Sequence, residues 1–319
     1  MNAAGRLAVY GTGLVLLFAA GLGAGRVLVP ESATSHRQQA AESAEPGEHG
    51  APGEGHGEGG HSDGGDHTSP AGSGSADSIR GLSVAQNGFV LSPVTAPHQV
   101  GQSGRLSFTV LTSSGKPVTD FAVEHEKRLH LIVVRTDGTQ FKHVHPTLDE
   151  STGRWSLPWT WHAAGTYRVF ADFVPAGSAD APDTTLSRSI DVAGELTPRP
   201  AGAVQRTDTV DGYQLKLNGD LKAGQSTELV VEVSKNGQPV TTLEPYLGAF
   251  GHLVALRDGD LAYLHVHPEG DSPTPGSTGG PTISFAVTAP TAGRYLLYLD
   301  FQIDGTVRTA SFVLEGESI

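Results

Sequence analysis

Residues 130–146 read HLIVVRTDGTQFKHVHP, with an apolar run before the pair Asp137-Gly138 and an alternating run after it. An Asp-Gly pair between two such runs is a strong signal for a two-residue β-hairpin turn. A turn at this place sets His130 opposite His145, and His143 lies two residues before His145 on the same strand. Directly opposed residues and their i+2 neighbours share one face of a sheet, so the three imidazoles are predicted to project to the same side.

The same stretch occurs a second time in the chain. Residues 252–268 read HLVALRDGDLAYLHVHP, so both copies carry the spacing His-x12-His-x-His-Pro. In the second copy the turn centres on Asp258-Gly259 or on Gly259-Asp260, and both positions leave the three histidines on one face. Further matches surround the two motifs, and the chain is predicted to contain one domain twice, over residues 77–195 and 204–316.

Each copy is predicted to be all-β. Short runs of alternating polarity, such as Leu106–Leu111 and Tyr167–Phe173, are separated by Gly, Asp and Pro turn signals. No sustained helical period follows the N-terminal segment. The pattern predicts two tandem antiparallel β-sandwich repeats, either immunoglobulin-like or cupredoxin-like. The alternate residues of the second run, beginning with Tyr167, form the predicted core stripe of the first copy.

The composition excludes several classes of partner and site. The 319 residues include 21 Lys+Arg and 34 Asp+Glu, and the resulting net charge of -13 argues against a nucleic-acid partner. There is no Cys, and the one Met is the initiator. Disulfides, thiolate nucleophiles, Cys-type zinc sites, blue copper and thioether Cu(I) sites are therefore excluded. The chain does carry 14 His, so imidazole and carboxylate are the metal-ligating groups that it offers.

The N-terminal segment, residues 1–30, is predicted to enter a membrane. No charged residue lies between Arg6 and Arg26, and as a helix at about 1.5 Å per residue this run spans about 28 Å, close to the hydrocarbon thickness of a bilayer. A cleaved signal peptide is the alternative, but the run is longer than the ~7–15 residues of a typical signal h-region. We therefore expect a transmembrane signal anchor with the bulk of the chain extracytoplasmic, or a secreted protein if the signal is cleaved.

Residues 31–76 are predicted to form a disordered tether. Ala, Gly, Ser, Pro, Glu and His dominate this segment, and such a composition does not bury a core. His49, His56, His61 and His67 lie among acidic residues, which makes the tether a candidate low-affinity chelator. A solvated linker that happens to contain histidine is the alternative.

The two histidine motifs are the candidate metal sites. Three imidazoles on one face of a hairpin can converge on one ion at about 2.0–2.1 Å from each nitrogen. The alternative is that each His makes an ordinary hydrogen bond at the rim of a sandwich and was inherited by duplication. Recurrence of all three at unchanged spacing favours metal binding, with one site per copy. The predicted ligands are His130, His143, His145, His252, His265 and His267.

Two carboxylates accompany the histidines. Asp172 and Asp300 recur on the strand that follows a Gly-x-Tyr turn in each copy, and by alternation they point away from the predicted core. Each is a candidate metal ligand, a group that orients the second ring nitrogen of a histidine ligand, or the partner of a recurring arginine. His125 and His162 have no counterpart in the other copy, and we expect them at the surface, with His162 as a candidate accessory ligand.

The chemistry of the ligand set narrows the choice of metal. Imidazoles with an optional carboxylate suit a divalent ion, Cu(II) or Zn(II), and Cu(II) has the higher intrinsic affinity. The same ligand set can also bind Fe(II) and Ni(II), which therefore stay as alternatives.

The arrangement of an anchor, a His/Gly/acidic tether and tandem His-x12-His-x-His-Pro β domains resembles uncharacterised exported, membrane-anchored bacterial proteins, some of which are loosely described as heavy-metal-binding. The resemblance covers roughly residues 1–316 and rests on the two histidine motifs. It implies an exported metal-binding protein. The small copper-carrying β-sandwich proteins of the bacterial envelope are a looser analogue, but they commonly use Met or an N-terminal His. This chain lacks both, which argues against a Cu(I) chaperone.

The leading functional hypothesis is a membrane-tethered extracytoplasmic metal buffer, sensor or carrier without enzymatic activity. A structural or partner-binding pair of sandwiches with incidental histidines is the first alternative. A mononuclear metalloenzyme is the second, because three His ligands leave coordination positions open. It ranks last because Asp172 and Asp300 are the sole recurring candidates for a general base. In addition, the spacing from His125-Glu126 to His130 is one residue too long for H-E-x-x-H.

Overall fold

The structure is a computed structural model, and the predicted anchor and tether, with their four histidines, lie outside the residues that it describes. His265 of the second motif also lies outside them. None of the described residues belongs to a helix long and apolar enough to cross a membrane. The described ranges are 79–177, 181–199, 202–264, 266–274 and 276–318.

The first copy is built from two antiparallel β-sheets. Its strands within the described ranges are β1 (Ala85–Gln86), β2 (Phe89–Leu91), β3 (Ser103–Thr112), β4 (His130–Arg135), β5 (Lys142–Val144), β6 (Thr147–Asp149), β7 (Arg154–Thr160), β8 (Gly165–Phe173) and β9 (Thr184–Val192). In the order of hydrogen-bonded neighbours, one sheet is β1-β2-β3-β7-β6 and the other is β5-β4-β8-β9. The neighbouring strands in both sheets are antiparallel, as predicted.

The second copy repeats this architecture with small additions. Its strands within the described ranges are β10 (Thr207–Val210), β11 (Tyr213–Asn218), β12 (Leu221–Lys222), β13 (Ser226–Lys235), β14 (Gln238–Pro239), β15 (His252–Arg257), β16 (Tyr263–Leu264), β17 (Val266–Pro268), β18 (Thr282–Thr288), β19 (Gly293–Ile303) and β20 (Thr306–Glu317). One sheet has the order β10-β11-β13-β18-β17, with β14 on β13, and the other has the order β12-β20-β19-β15-β16. The short strand β12 runs parallel to β20, whereas the other neighbours are antiparallel.

Alternation fills each sandwich with apolar side chains from both of its sheets. In the first copy the predicted stripe that begins with Tyr167 in β8 shares one buried cluster with Leu106 and Phe108 of β3. In the second copy Leu297 of β19 shares a cluster with Leu229 of β13. Because the side chains of a strand point alternately to its two faces, each sheet contributes every second residue to its core. The predictions of an all-β fold and of an internal repeat are confirmed.

The two histidine-bearing hairpins have different turns. Ile132 of β4 pairs with His143 of β5, which centres the first turn on the predicted Asp-Gly pair. Ala255 of β15 pairs with Leu264 of β16, which centres the second turn on the Gly-Asp pair, one of the two predicted positions. Both registers place the first histidine of the motif on the face of the sheet that points away from its own core.

The outer faces of the two histidine-bearing sheets pack against each other. All six residues of β4 are buried. Leu131 and Val133 point into the first sandwich, whereas Ile132 points outward and joins a third apolar cluster with Val254 of β15. A strand that is buried on both faces needs a continuous apolar run, and the sequence LIVV supplies it. His130 shares its face with Ile132, so the first motif is turned toward the second copy.

Reciprocal aromatic contacts give this interface an approximate two-fold character. Phe141 of the first copy stacks on Tyr298 of the second, with ring centroids 4.0 Å apart. The equivalent pair has the copies exchanged: Tyr263 of the second copy and Phe170 of the first have ring centroids 5.9 Å apart. The Tyr298 hydroxyl also donates a hydrogen bond to the carbonyl of Gly138 in the first turn. The first hairpin is therefore held against the second copy by packing and by a polar contact.

Candidate metal centre

The first histidine motif forms a compact cluster at the interface between the copies, which we call the triad: His130, His143 and His145. His130 begins β4, His143 lies in β5, and His145 follows the end of β5. The ring centroid of His130 lies 5.2 Å from that of His143 and 5.0 Å from that of His145. One ligand atom from each residue lies within 4.8 Å of the other two. The three imidazoles thus share the face on which the sequence predicts them.

Three ring nitrogens of the triad face one another. His130 Nδ1 lies 3.0 Å from His143 Nε2 and 3.3 Å from His145 Nε2. Nitrogens that bind one tetrahedral ion at about 2.0–2.1 Å are about 3.3–3.4 Å apart. Small side-chain rotations would bring the triad to the separations of such a ligand set.

The other ring nitrogens of two triad members have hydrogen-bond acceptors. His130 Nε2 lies 3.1 Å from the carbonyl oxygen of Glu124. His143 Nδ1 lies 2.9 Å from Asp300 Oδ2 of the second copy, and the side chains of His143 and Asp300 are 0% and 4% exposed. The Thr309 hydroxyl donates to the other oxygen of Asp300 at 2.6 Å. A carbonyl or carboxylate behind a histidine is the usual outer partner of a metal-bound imidazole.

These outer contacts determine which nitrogens carry lone pairs. When the outer nitrogens donate their protons, the inner nitrogens of His130 and His143 each present a lone pair to the other. Lone pairs that face each other at 3.0 Å repel, and a cation between them removes the repulsion. Burial, followed by the neighbouring His143, lowers the pKa of His130 and of His145 to about 3. Near pH 7 neither imidazole takes up a proton, so the triad is suited to a metal ion.

His252 of the second copy lies against the triad. Its ring centroid is 4.8 Å from that of His143 and 5.3 Å from that of His130. Burial lowers the pKa of His252 well below its usual value, and within the described part of the chain its ring makes no hydrogen bond. Its nitrogens nevertheless lie outside the close group of ligand atoms. His252 is therefore a neighbour of the triad rather than a fourth member.

The described residues do not assemble a second triad from the second motif. His265 lies outside them, and His267 is exposed. A cavity of about 330 Å³ occupies the corresponding side of the interface, and both His252 and His267 line it. Among the described residues, the two motifs thus differ in their last histidine, because His145 is partly buried and His267 is exposed.

The two recurring carboxylates also differ in their surroundings. Asp300 orients His143, which is one of the roles predicted for it, but it does so across the interface rather than within its own copy. Asp172 lines the cavity, accepts a hydrogen bond from the Thr185 hydroxyl at 2.6 Å, and is hydrogen-bonded to Tyr263. Burial, followed by repulsion from a neighbouring carboxylate, raises the pKa of Asp172 to about 8. Neither carboxylate is a member of the triad.

The prediction that His125 is a surface residue is wrong. Its ring is partly buried, and its centroid lies 5.4 Å from that of His252 and 6.1 Å from that of His130. The loop between β3 and β4 folds back over the interface and carries His125 with it, in a backbone conformation with positive φ. His162, the candidate accessory ligand, is exposed and lies in the first copy beside Trp161, away from the triad. No sequence signal distinguishes the two, because neither has a counterpart in the other copy.

Comparison with solved structures finds remote likenesses. The chain is similar to a Salmonella alpha-2-macroglobulin mutant, with 15% identity, a TM-score of 0.24, and coverage of 76% of this chain and 15% of that one. It is also similar to invasin, a bacterial integrin-binding protein, with 13% identity, a TM-score of 0.19, and coverage of 72% and 39%. The D00-D0 domain of intimin matches with 11% identity, a TM-score of 0.20, and coverage of 70% and 99%. The chain thus spans well under two thirds of the first two proteins, and likenesses of this strength carry no argument about function.

Comparison by sequence identifies the family. No curated protein matches the chain. One family model, a domain of unknown function, matches residues 86–188 and again residues 208–318. The two matches correspond to the two sandwiches and together cover more than half of the chain. The description of the family names no ligand, so metal binding stays a prediction. The chain belongs to the family described as Domain of unknown function (DUF8832), and it carries that domain twice.

Proposed function

We propose that the chain is a divalent-metal-binding protein for Cu(II) or Zn(II), with its principal site at the triad. The observation that carries this proposal is the convergence of three imidazole nitrogens at 3.0 and 3.3 Å with hydrogen-bond acceptors behind two of them. Metal-binding histidines have this arrangement, because the outer acceptor selects the tautomer that directs a lone pair at the ion. The proposal concerns the site formed by the first motif, since His265 of the second motif lies outside the described residues.

The proposed role is a buffer, sensor or carrier rather than an enzyme. General-base assistance to a metal-bound water would need a base whose accepting atoms are not already hydrogen-bonded. The two carboxylates that the sequence offers as bases already have partners, because Asp300 accepts from His143 and Thr309, and Asp172 from Thr185. The proposed location, at the outer side of a membrane through the N-terminal anchor, rests on the sequence of residues 1–30.

A titration of the full chain tests the proposal. Metal-free protein, purified without an affinity tag, is titrated with Cu(II) and Zn(II) against competing chelators. We expect one tight equivalent, and we expect the electron paramagnetic resonance spectrum of the Cu(II) form to show imidazole nitrogen coupling. The control variant replaces the four tether histidines, His49, His56, His61 and His67, with Ala. Loss of the tight equivalent in this variant, or absence of tight binding in the folded wild type, would contradict the proposal.

The role assigned to Asp300 leads to a second prediction. Asp300→Asn keeps the shape of the side chain but weakens the acceptor for His143, and loss of such an outer partner costs about 10–100-fold in metal affinity. Asp172→Asn is the matched control, because Asp172 is the equivalent residue of the first copy. It lies opposite His130 in the sheet, but its side chain is hydrogen-bonded to Thr185 and Tyr263. We expect the tight affinity, measured by chelator competition, to fall in the first variant and to stay within about twofold in the second. Equal effects of the two substitutions would show that Asp300 does not act through His143.

A further inference from the structure

The cavity at the interface is separate from the centre of the triad. His130 and His252 form part of its wall, whereas His143 and His145 do not. Its volume of about 330 Å³ holds several water molecules, each of which takes about 30 Å³ in the liquid. A small hydrated ion fits this space.

The lining of the cavity favours a cation. Three acidic residues, Glu124, Asp172 and Asp183, line it together with imidazoles, and no Lys or Arg of the described chain does so. Arg80 approaches from outside and pairs with Asp183 at 2.6 Å, and Asp172 is hydrogen-bonded to Thr185 and Tyr263. A divalent cation would find imidazole nitrogens and carboxyl oxygens as ligands, whereas the described lining offers an anion no cationic side chain.

His252 connects the cavity to the triad. It lines the cavity together with His125, and their ring centroids lie 5.4 Å apart. On its other side the ring lies 4.8 Å from His143, whose side chain is fully buried. Because the ring of His252 has no hydrogen-bond partner among the described residues, it can rotate without breaking a polar contact.

We propose that the cavity is a second, weaker site for the same divalent cation, built on His125 and His252, and that the ion exchanges between this site and the triad. This inference rests on the metal-binding function proposed above. The ion moves by replacement of one imidazole ligand with another and keeps its oxidation state, so no electron or co-reactant is needed. The site is weaker because its ligands do not converge as closely as those of the triad, and the ion keeps part of its water shell.

Zinc titration and transfer kinetics test the second site. All measurements use the full chain with the four tether histidines replaced by Ala, so that weak binding by the tether does not interfere. The variants are His252→Ala and His125→Ala, with His252→Asn as a smaller change if the first does not fold, and His162→Ala as the control at an exposed histidine. We expect two zinc equivalents in the parent and the control, and a single tight equivalent in the other variants. We also expect transfer of the tight zinc ion to a chelator to slow by about tenfold in the His252 variants.

The outcomes separate this inference from the proposed function. The second site is wrong and the triad stands in either of two cases. In the first, the parent binds one tight equivalent and no weak one. In the second, the His125 and His252 variants keep the weak equivalent and the transfer rate of the parent. If His252→Ala removes the tight equivalent instead, His252 belongs to the principal site and the second site is again wrong. If the parent binds no zinc tightly, the function proposed for the triad fails first. Loss of the weak equivalent with an unchanged transfer rate would overturn the exchange route, with the ion then leaving past the partly exposed His145.

Discussion

His143→Ala is expected to lower the affinity of the chain for Zn(II) and Cu(II) by more than about 100-fold, because loss of an outer partner alone costs about 10–100-fold and this change removes a ligand together with its partner. His143 is the best-supported member of the triad. Its Nε2 faces His130 Nδ1 at 3.0 Å, its Nδ1 faces Asp300 at 2.9 Å, and its side chain has no exposed surface. Without His143 only the nitrogens of His130 and His145 are left to bind the ion, and two ligands bind it less tightly than three.

The measurement is chelator competition on the full chain, and His162→Ala is the control. Both residues are histidines of the first copy, but His162 is exposed and lies outside the triad. Urea unfolding of the metal-free variants shows whether His143→Ala still folds, since the change leaves the buried Asp300 without its imidazole partner and such a loss costs about 1–3 kcal/mol. A folded His143→Ala protein with wild-type affinity would place the metal elsewhere.

Acidification is expected to destabilise the metal-free protein strongly. His130 and His145 have a pKa of about 3 in the folded state, chiefly because of burial, against 6.5 for an ordinary histidine. Below pH 6.5 the unfolded chain takes up protons that the folded chain does not, so folding stability falls as the pH decreases from about 6.5 toward 3. At 1.36 kcal/mol per pKa unit, each fully shifted imidazole costs about 2 kcal/mol at pH 5. His145 is partly exposed and contributes less than this value.

Protonation of Asp172 changes the folding stability in the opposite direction, so its contribution must be removed from the comparison. Its pKa of about 8, raised chiefly by burial, makes protonation more favourable in the folded than in the unfolded chain between roughly pH 8 and pH 4. Urea unfolding at pH 7 and pH 5 is therefore measured in an Asp172→Asn background. We expect His130 and His145 to contribute a loss of about 2–4 kcal/mol at pH 5, to which the buried His252 adds in the same direction, and a smaller loss when His130 and His145 are also replaced with Ala. Equal stabilities at the two pH values would mean that the triad imidazoles are not held neutral by burial.

Local pattern was sufficient to predict the first hairpin. Two apolar runs around an Asp-Gly pair determine both the turn and the register, and the register determines which side chains share a face. The pairing of Ile132 with His143 follows from that arithmetic alone. The second turn was open between two positions, because Asp258, Gly259 and Asp260 offer two overlapping turn signals and only the pairing of Ala255 with Leu264 decides between them.

The composition of the site could be predicted only in part. The motif identifies His130, His143 and His145, but Asp300 is distant in sequence and reaches His143 only through the contact between the two sheets. His125 has no motif around it and enters the interface through the path of a loop. A continuous apolar run such as that of β4 indicates that both faces are covered. It does not indicate what covers the second face.

The all-β class, the duplication and the common face of the first three histidines follow from the sequence, because each depends on residues close together in the chain or on a repeated pattern. The contact between the outer faces of the two sandwiches is visible only in the folded protein, and with it the orientation of His143 by Asp300 and the position of His252 against the triad. These contacts arise because two apolar sheet faces exclude water where they meet. Such faces attract one another without direction, so their partner and alignment depend on the shape of both folded copies rather than on any local stretch.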